Sequence, residues 1–402
     1  MKFTYKHTMR TCYLAYITGA VINNLAPLLF VTFSETFGLR LEQLALIITM
    51  NFGIQMIVDF IGAKFADRIG YKPLIMISQV FSALGLVALG VLPRLLPSPY
   101  IGIILAAVLY AVGSGLMEVL ISPIIEALPG DAKASSMSLL HSFYCWGHVL
   151  TVVVSTLFFR VFGIENWSVL CILWAILPVV TFFLFYLVPI NQLGAEGEES
   201  QPLHKLFSVK ILWLFLILML CAGAAEQSMS QWSSFFAETE LGVSKQMADL
   251  LGPCMFAITM GLSRVLFAAV GKRLDIRTGL AGSAVLCIVS YLLAAYGPHP
   301  LLALAGCALC GFSVGMMWPG VLSLSAKTYA AGGTAMFALL ALAGDVGCFV
   351  GPEVVARTAS ASATCGAQSV KAGLVFAIVF PLFILLAVAV LTLHGKSREK
   401  KN

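Results

Sequence analysis

The sequence predicts an all-α membrane protein, twelve transmembrane helices grouped as two six-helix bundles. Three observations predict it. Of the 402 residues, 60% are hydrophobic and 11% charged, with a mean hydropathy of +0.96, whereas a soluble domain carries about 25% charged residues. The apolar residues fall in stretches long enough to cross a bilayer, which takes about 20 residues each. One long polar segment, "NQLGAEGEESQPLHKLF" from Asn191 to Phe207, divides those stretches six and six. The implied organisation is a bundle over 1–190, a cytoplasmic linker over 191–208, and a second bundle over 209–402 that ends in a short basic tail.

Hydropathy and turn residues place the elements in order. Span 1 (11–34) contains "ITGAVINNLAPLLF" and sets Asn23 and Asn24 in an apolar run. Span 2 (41–66) holds Asp59 about two turns from its end and leads into "GAKFADRIGYKP". Span 3 covers 73–93. Span 4 (98–128) has Gly113 and Gly115, then Glu118, then Ser122-Pro123. Span 5 (135–160) places His141, Tyr144 and His148 at i, i+3, i+7, on one helical face. Span 6 covers 166–190. In span 7 (209–236), Gln227, Ser230, Gln231 and Ser234 stand at i, i+3, i+4, i+7, with Glu226 and Trp232 beside them. A polar stripe of that kind is costly against lipid, so it is read as lining an aqueous cavity. Span 8 (246–271) contains Arg264 and leads into "GKRLDIRTG". Span 9 covers 278–297. Span 10 (300–327) has Gly311 and Gly315, then Trp318-Pro319. Span 11 (333–358) carries Asp345, with Gly344, Gly347 and Gly351 for close packing and Pro352 for a kink. Span 12 covers 371–394.

The halves rhyme. Gly62, Asp67, Arg68, Gly70 and Lys72 follow span 2, while Gly271, Asp275, Arg277 and Gly279 follow span 8. The paired glycines and the residue-Pro step of span 4 recur in span 10. Internal duplication with parallel halves explains both. With both termini inside, seventeen Lys and Arg fall on the cytoplasmic side and six outside. By the positive-inside rule this sets the orientation, in a plasma (inner) membrane. The net charge of +5 therefore belongs to the loops and gives no basis for nucleic-acid binding.

Other classes are disfavoured. Nine of the ten cysteines lie in or beside apolar runs and read as small hydrophobes rather than metal ligands. The first apolar run is too long for a cleavable signal. No Gly-Lys-Ser/Thr phosphate loop and no spaced nucleophile and base are present, so neither ATP-driven transport nor an enzyme is expected, and no cofactor is implied.

A charge at mid-bilayer costs on the order of 3 kcal/mol. The spans nonetheless contain Asp59, Glu118, Glu126, Glu226, Arg264, Asp345 and Glu353. Glu118, Glu226 and Asp345 lie deepest; Glu126 and Glu353 sit toward span ends. Asp59 is expected to pair with Arg264, its near-counterpart, or with a loop residue.

The loop after span 2 resembles the G-x-x-x-D-R-x-G-x-K/R signature of the major facilitator superfamily. Its first Gly falls at Ala63, beside Gly62, and Tyr71 occupies a basic position. The resemblance implies two bundles rocking about a midplane cavity, with Gly62, Asp67, Arg68, Gly70 and Lys72, echoed by Asp275 and Arg277, gating the cytoplasmic side. "GSGLMEVLISP" resembles the fourth helix of the fucose permease branch, whose Glu carries a proton or binds sugar; Glu118 takes that place. Span 1 resembles the same branch, but Asn23 replaces its acid, so the protein either couples through Glu118 or Glu226 or does not couple.

The resulting expectation is a secondary transporter for a sugar-like polar solute, by alternating access and proton symport. It acts as a functional monomer in the lipid bilayer. Glu118 and Glu226 couple or bind, and Asn23, Asn24, His141, Gln227, Gln231 and Trp232 bind solute. Asp345 pairs with a donor across the cavity. Two readings stay open: a proton-antiporting exporter of amphipathic compounds, and a non-transporting receptor on the same scaffold. Helix 5 lacks the exporter branch's Gly-Pro pair.

Overall fold

The computed structural model describes residues 3–126, 128, 133–190, 206–270, 275–329, 333–362 and 369–399. Eleven helices among them are long and apolar enough to cross a membrane, and a bent pair completes twelve. We number these spans α1 to α12. In the first half they are α1 (Tyr5–Leu28 with Phe30–Phe37), α2 (Leu41–Gly62), α3 (Tyr71–Leu95), α4 (Pro99–Ile125), α5 (Ser142–Phe162) and α6 (Ile164–Leu187). In the second they are α7 (Lys210–Thr239), α8 (Lys245–Phe267), α9 (Ile276–Tyr296), α10 (Pro300–Thr328), α11 (Met336–Ser362) and α12 (Val370–Leu393). The chain forms two compact units, Met1–Glu196 and Gly197–Asn402.

Three elements differ from expectation. The first helix starts at Tyr5 and bends by 45° where Leu28 meets Phe30. Pro27 lies inside its last turn, and a proline lacks the N–H that would continue the ladder. The helix of α2 continues to Ile69, so Asp67 and Arg68 belong to its last turns rather than to a loop. Gly70 alone joins it to α3, at φ +96°, a left-handed backbone that glycine adopts without strain. In α8 a π-helical turn spans Leu250–Cys254 around Pro253.

Packing repeats at an offset of six helices. In the first unit α4 packs on α3 and α2, and α1 packs on α5. In the second, α10 packs on α9 and α8, and α7 packs on α11. Small residues let the backbones approach, as membrane helices require in the absence of a hydrophobic drive between them. A Cβ added at Gly115 of α4 would lie 2.9 Å from the Gln55 carbonyl of α2. A Cβ at Gly315 of α10 would lie 2.7 Å from the Met260 carbonyl of α8. Gly344, Gly347 and Gly351 of α11 all stand at close approaches, the last two against the α7 backbone and Gly344 beneath the ring of Trp318. Outward faces are apolar and exposed, among them Ile101, Leu105, Phe183 and Leu386. Such a surface suits lipid and not water.

Candidate functional site

Each unit contains a polar cluster inside its apolar helices. In the first unit the cluster is built of amides. Gly147 of α5 faces Ala20 and Ile17 of α1 so closely that an added Cβ would lie 2.9 Å and 3.0 Å from them. That approach brings Tyr144 to Asn23, whose Nδ2 donates to the Tyr144 hydroxyl at 3.3 Å. Asn51 and Gln55 of α2 both donate to Asn23 Oδ1, at 3.0 and 2.9 Å. Gln55 also donates to Asn51 Oδ1 at 2.8 Å. The three amides are buried and Tyr144 is half-buried. Asn24 takes no part in these bonds: its Nδ2 donates to the Ala20 carbonyl of its own helix at 2.8 Å.

Glu118 is exposed although it lies well inside α4. Successive helical residues turn by about 100°, which sets Glu118 roughly 100° round from Ile101 and roughly 140° from Leu105. Those two are the exposed apolar side chains of that helix's outer face. One turn either side of Glu118 stand Ser114, buried, and Ser122, half-buried. Its carboxylate is therefore accessible on a face with hydroxyls, away from the lipid-facing stripe. Asp59 lies two turns beyond Asn51 and one beyond Gln55 on α2, and is half-buried. His148 is buried at 2% exposure, and the side chain of His141 lies outside the described residues, as do those of Asp67, Arg68 and Glu126.

The second unit's cluster carries charge. Arg264 of α8 pairs with Glu226 of α7, Nη2 to Oε2 at 3.7 Å. Gln227 donates to the other carboxylate oxygen at 3.3 Å, and Gln231 donates to Gln227 Oε1 at 3.0 Å. One line of side chains along α7 thus converges on Glu226 and is closed by an arginine from α8. Arg264, which the sequence offered as one partner for Asp59, meets Glu226. Asp345 is half-buried on α11, and Glu353 pairs with Arg357 one turn on, at 2.7 Å.

Trp232 is placed differently from a solute-stacking residue. It has no exposed surface, its indole N–H donates to the Pro352 carbonyl at 3.1 Å, and Phe235 meets it edge-on. It packs α7 against α11, as a bulky aromatic does when its N–H finds a partner.

Several of the predicted gating residues make local contacts. Gly62 is buried, and a Cβ there would touch Val119 of α4 at 3.0 Å. Lys72 donates to the Tyr186 and Val188 carbonyls at 2.8 and 3.2 Å, closing the C-terminal end of α6 as a cation should. Asp275 caps α9, accepting from the Thr278 hydroxyl at 2.8 Å and its N–H at 3.1 Å. Those bonds hold its carboxyl below the usual carboxylate range. A group so depressed stabilises the fold above its unfolded pKa and loses that contribution as pH falls through the folded one. Asp275→Ala should accordingly cost about 1 kcal/mol near neutrality. The two proteins should still melt apart near about pH 4, the ordinary carboxylate range, and converge only in more acid solution, as pH falls through the depressed folded value of the cap. Arg277 lines a shallow recess with Lys327 and Thr328.

Sequence reasoning missed Asn51 and Gln55. It also missed Asp249, fully buried, which accepts from Ser234 and pairs with Lys245 at 2.7 Å; Lys245 reaches Glu238 at 3.0 Å. The signal for the first pair was present, since 51, 55 and 59 share a face at i, i+4, i+8.

A family model described as the Major Facilitator Superfamily matches residues 12–352. The chain belongs to that superfamily. Among solved structures, this superfamily member is similar to a D-xylose-proton symporter, with TM-score 0.78, 15% identity, and 96% of each chain covered. It is also similar to the nucleoside transporter NupG, with TM-score 0.77, 14% identity, and 96% and 99% covered. The fucose:proton symporter of E. coli follows the same fold, with TM-score 0.65, 15% identity, and 95% and 98% covered. No curated protein sequence matches. The twelve-span, two-unit architecture read from hydropathy is the fold of this family.

Proposed function

We propose that this superfamily member is a proton-coupled symporter of a small polar solute, a sugar or a related polyhydroxy compound. The observation that supports it most is the placement of polar groups where lipid would penalise them. Asn23, Asn51, Gln55 and Tyr144 join three helices of one bundle by side-chain amides and a hydroxyl, and Glu118 is accessible away from the lipid-facing stripe. Side-chain amides and hydroxyls suit a polyhydroxy ligand because they both donate and accept. The folds it shares are those of D-xylose and fucose proton symporters and of a nucleoside transporter.

In this reading Glu118 exchanges the proton, because it is exposed well inside α4 and enters no ion pair among the described residues. Glu226 works with Arg264 and Gln227: a solute hydroxyl or a proton competes with the arginine for the carboxylate. Asn23 and Gln231 contribute hydrogen bonds to the solute. The excess of Lys and Arg on one side supports cytoplasmic termini in a plasma or inner membrane, with a monomer as the working unit.

Proteoliposome uptake of labelled D-xylose, fucose and a nucleoside, with and without an acid-outside pH gradient, tests the reading. Gradient-stimulated uptake of at least one sugar is expected. Absence of uptake for all three under every gradient would remove the solute class.

A further inference from the structure

The amide cluster has a direction. Gln55 donates to Asn51 and to Asn23, Asn51 donates to Asn23, and Asn23 donates to Tyr144. The Asn23 oxygen therefore faces inward, held by two N–H donors from α2, and its NH₂ points along the chain of bonds toward the half-buried tyrosine. Asn23 cannot turn alone, because its NH₂ would then face the NH₂ groups of Asn51 and Gln55 with no acceptor between them. The three amides reverse only as a set.

We propose that Asn51 and Gln55 are positioning residues that set the amide polarity of Asn23, making this part of the first bundle a hydrogen-bond donor that selects a solute oxygen. Asn51 and Gln55 are almost wholly buried and bond directly to Asn23. Their effect passes through Asn23 and Tyr144. A buried polar network whose every member is satisfied specifies one arrangement, because leaving one member unpaired in a low-dielectric interior is costly. The backbone of Gln55 is seated against Gly115 of α4, and the approach at Gly147 brings Tyr144 of α5 to α1, so close helix contacts hold both ends of the set. The inference rests on the solute reading above, and extends it from which residues bind to which atom of the solute they require.

Gln55→Glu is the decisive variant. A carboxylate of the same length can only accept, so Asn23 and Asn51 must turn their NH₂ groups toward it and the set reverses. Asn23 then offers its oxygen where it had offered N–H. The readout is uptake KM for the transported sugar and, at each hydroxyl, its deoxy and deoxyfluoro analogues. Fluorine keeps a weak acceptor and has no proton to donate, while the deoxy analogue keeps neither. At one hydroxyl the wild type should take the fluoro analogue with a lower KM than the deoxy. In Gln55→Glu that preference should vanish and the parent KM should rise about tenfold, the scale of one hydrogen bond, with Vmax little changed. Gln55→Met, which fills the space without bonding, should lose the preference as well. A merely structural role would lower yield and Vmax for all analogues alike.

Retention of the wild-type fluoro-over-deoxy preference in Gln55→Glu overturns the proposal. Should the wild type take up no sugar at all, the solute reading fails first, and the lock is judged by melting of Asn23→Leu, Gln55→Leu and the double variant. A double variant less destabilised than the sum of the singles is expected for amides that satisfy one another. Additive melting shifts overturn the lock independently of any solute.

Discussion

Glu118→Gln should abolish gradient-driven accumulation of the solute while leaving exchange across the membrane intact. Glutamine matches glutamate in size and keeps a hydrogen-bonding carbonyl, so binding and the alternation of the carrier persist. It cannot take up a proton, so the link between solute and gradient is lost. A gradient of one pH unit is worth about 1.4 kcal/mol per proton, or roughly tenfold accumulation for one proton per solute. The wild type should approach that ratio in proteoliposomes that are acid outside, and the variant should level at unity. Counterflow, in which unlabelled solute inside draws labelled solute in without a gradient, should proceed in both. Glu118→Asp keeps the titrating group one methylene shorter and should restore accumulation at a higher KM. Accumulation above unity in Glu118→Gln would transfer coupling to Glu226 or to another acid. Loss of counterflow along with accumulation would instead make Glu118 a binding residue.

The fold was legible because hydropathy, turn residues and one polar segment act over twenty-residue lengths. Such signals average over many side chains, and single substitutions hardly move them. The duplication was legible for the same reason: the glycines of spans 4 and 10 serve the same backbone approaches, and the structure repeats the packing of α4 on α2 and α3 in that of α10 on α8 and α9. The bend at Pro27 stood in plain sight in "NNLAPLLF", yet a proline is tolerated in membrane helices often enough that its presence alone does not fix a break.

The site was legible in part, and the losses have a common cause. A search for charges finds Glu118, Glu226 and Arg264, because charge in lipid is expensive. Amides are cheaper, so Asn51 and Gln55 do not stand out, although with Asp59 they form a polar stripe on one face of α2. Contacts between helices are invisible to spacing along one helix. Nothing in the sequence near Glu226 says that its cation comes from α8, or that Trp232 gives its N–H to α11 rather than to a solute. Asn24 shows the converse. Its neighbour in sequence joins the cluster, while one step of 100° turns Asn24 back onto its own helix.

The Glu226–Arg264 pair makes the largest stability prediction. The carboxylate side chain is 10% exposed and the arginine 16%. A nearly buried pair contributes little net stability, since desolvation offsets attraction, but removal of one partner strands the other. Arg264→Gln should therefore destabilise the second bundle by about 3–5 kcal/mol, because Glu226 is left with a weak hydrogen bond from Gln227 for its charge. Glu226→Gln should cost less: the arginine is the more exposed partner, and its long side chain can carry the guanidinium toward water. The double variant, Gln at both positions, places two neutral amides where the pair stood and should melt well above Arg264→Gln alone. Thermal unfolding of the four purified proteins gives the coupling directly, and low exposure predicts that it persists in high salt, where surface pairs are screened. A double variant no more stable than Arg264→Gln would mean that Arg264 supports the helices through its stem rather than its charge. Recovery of stability in the double variant with uptake still absent would separate the two roles: the pair is dispensable for folding, and its charge is needed when solute or proton displaces the arginine.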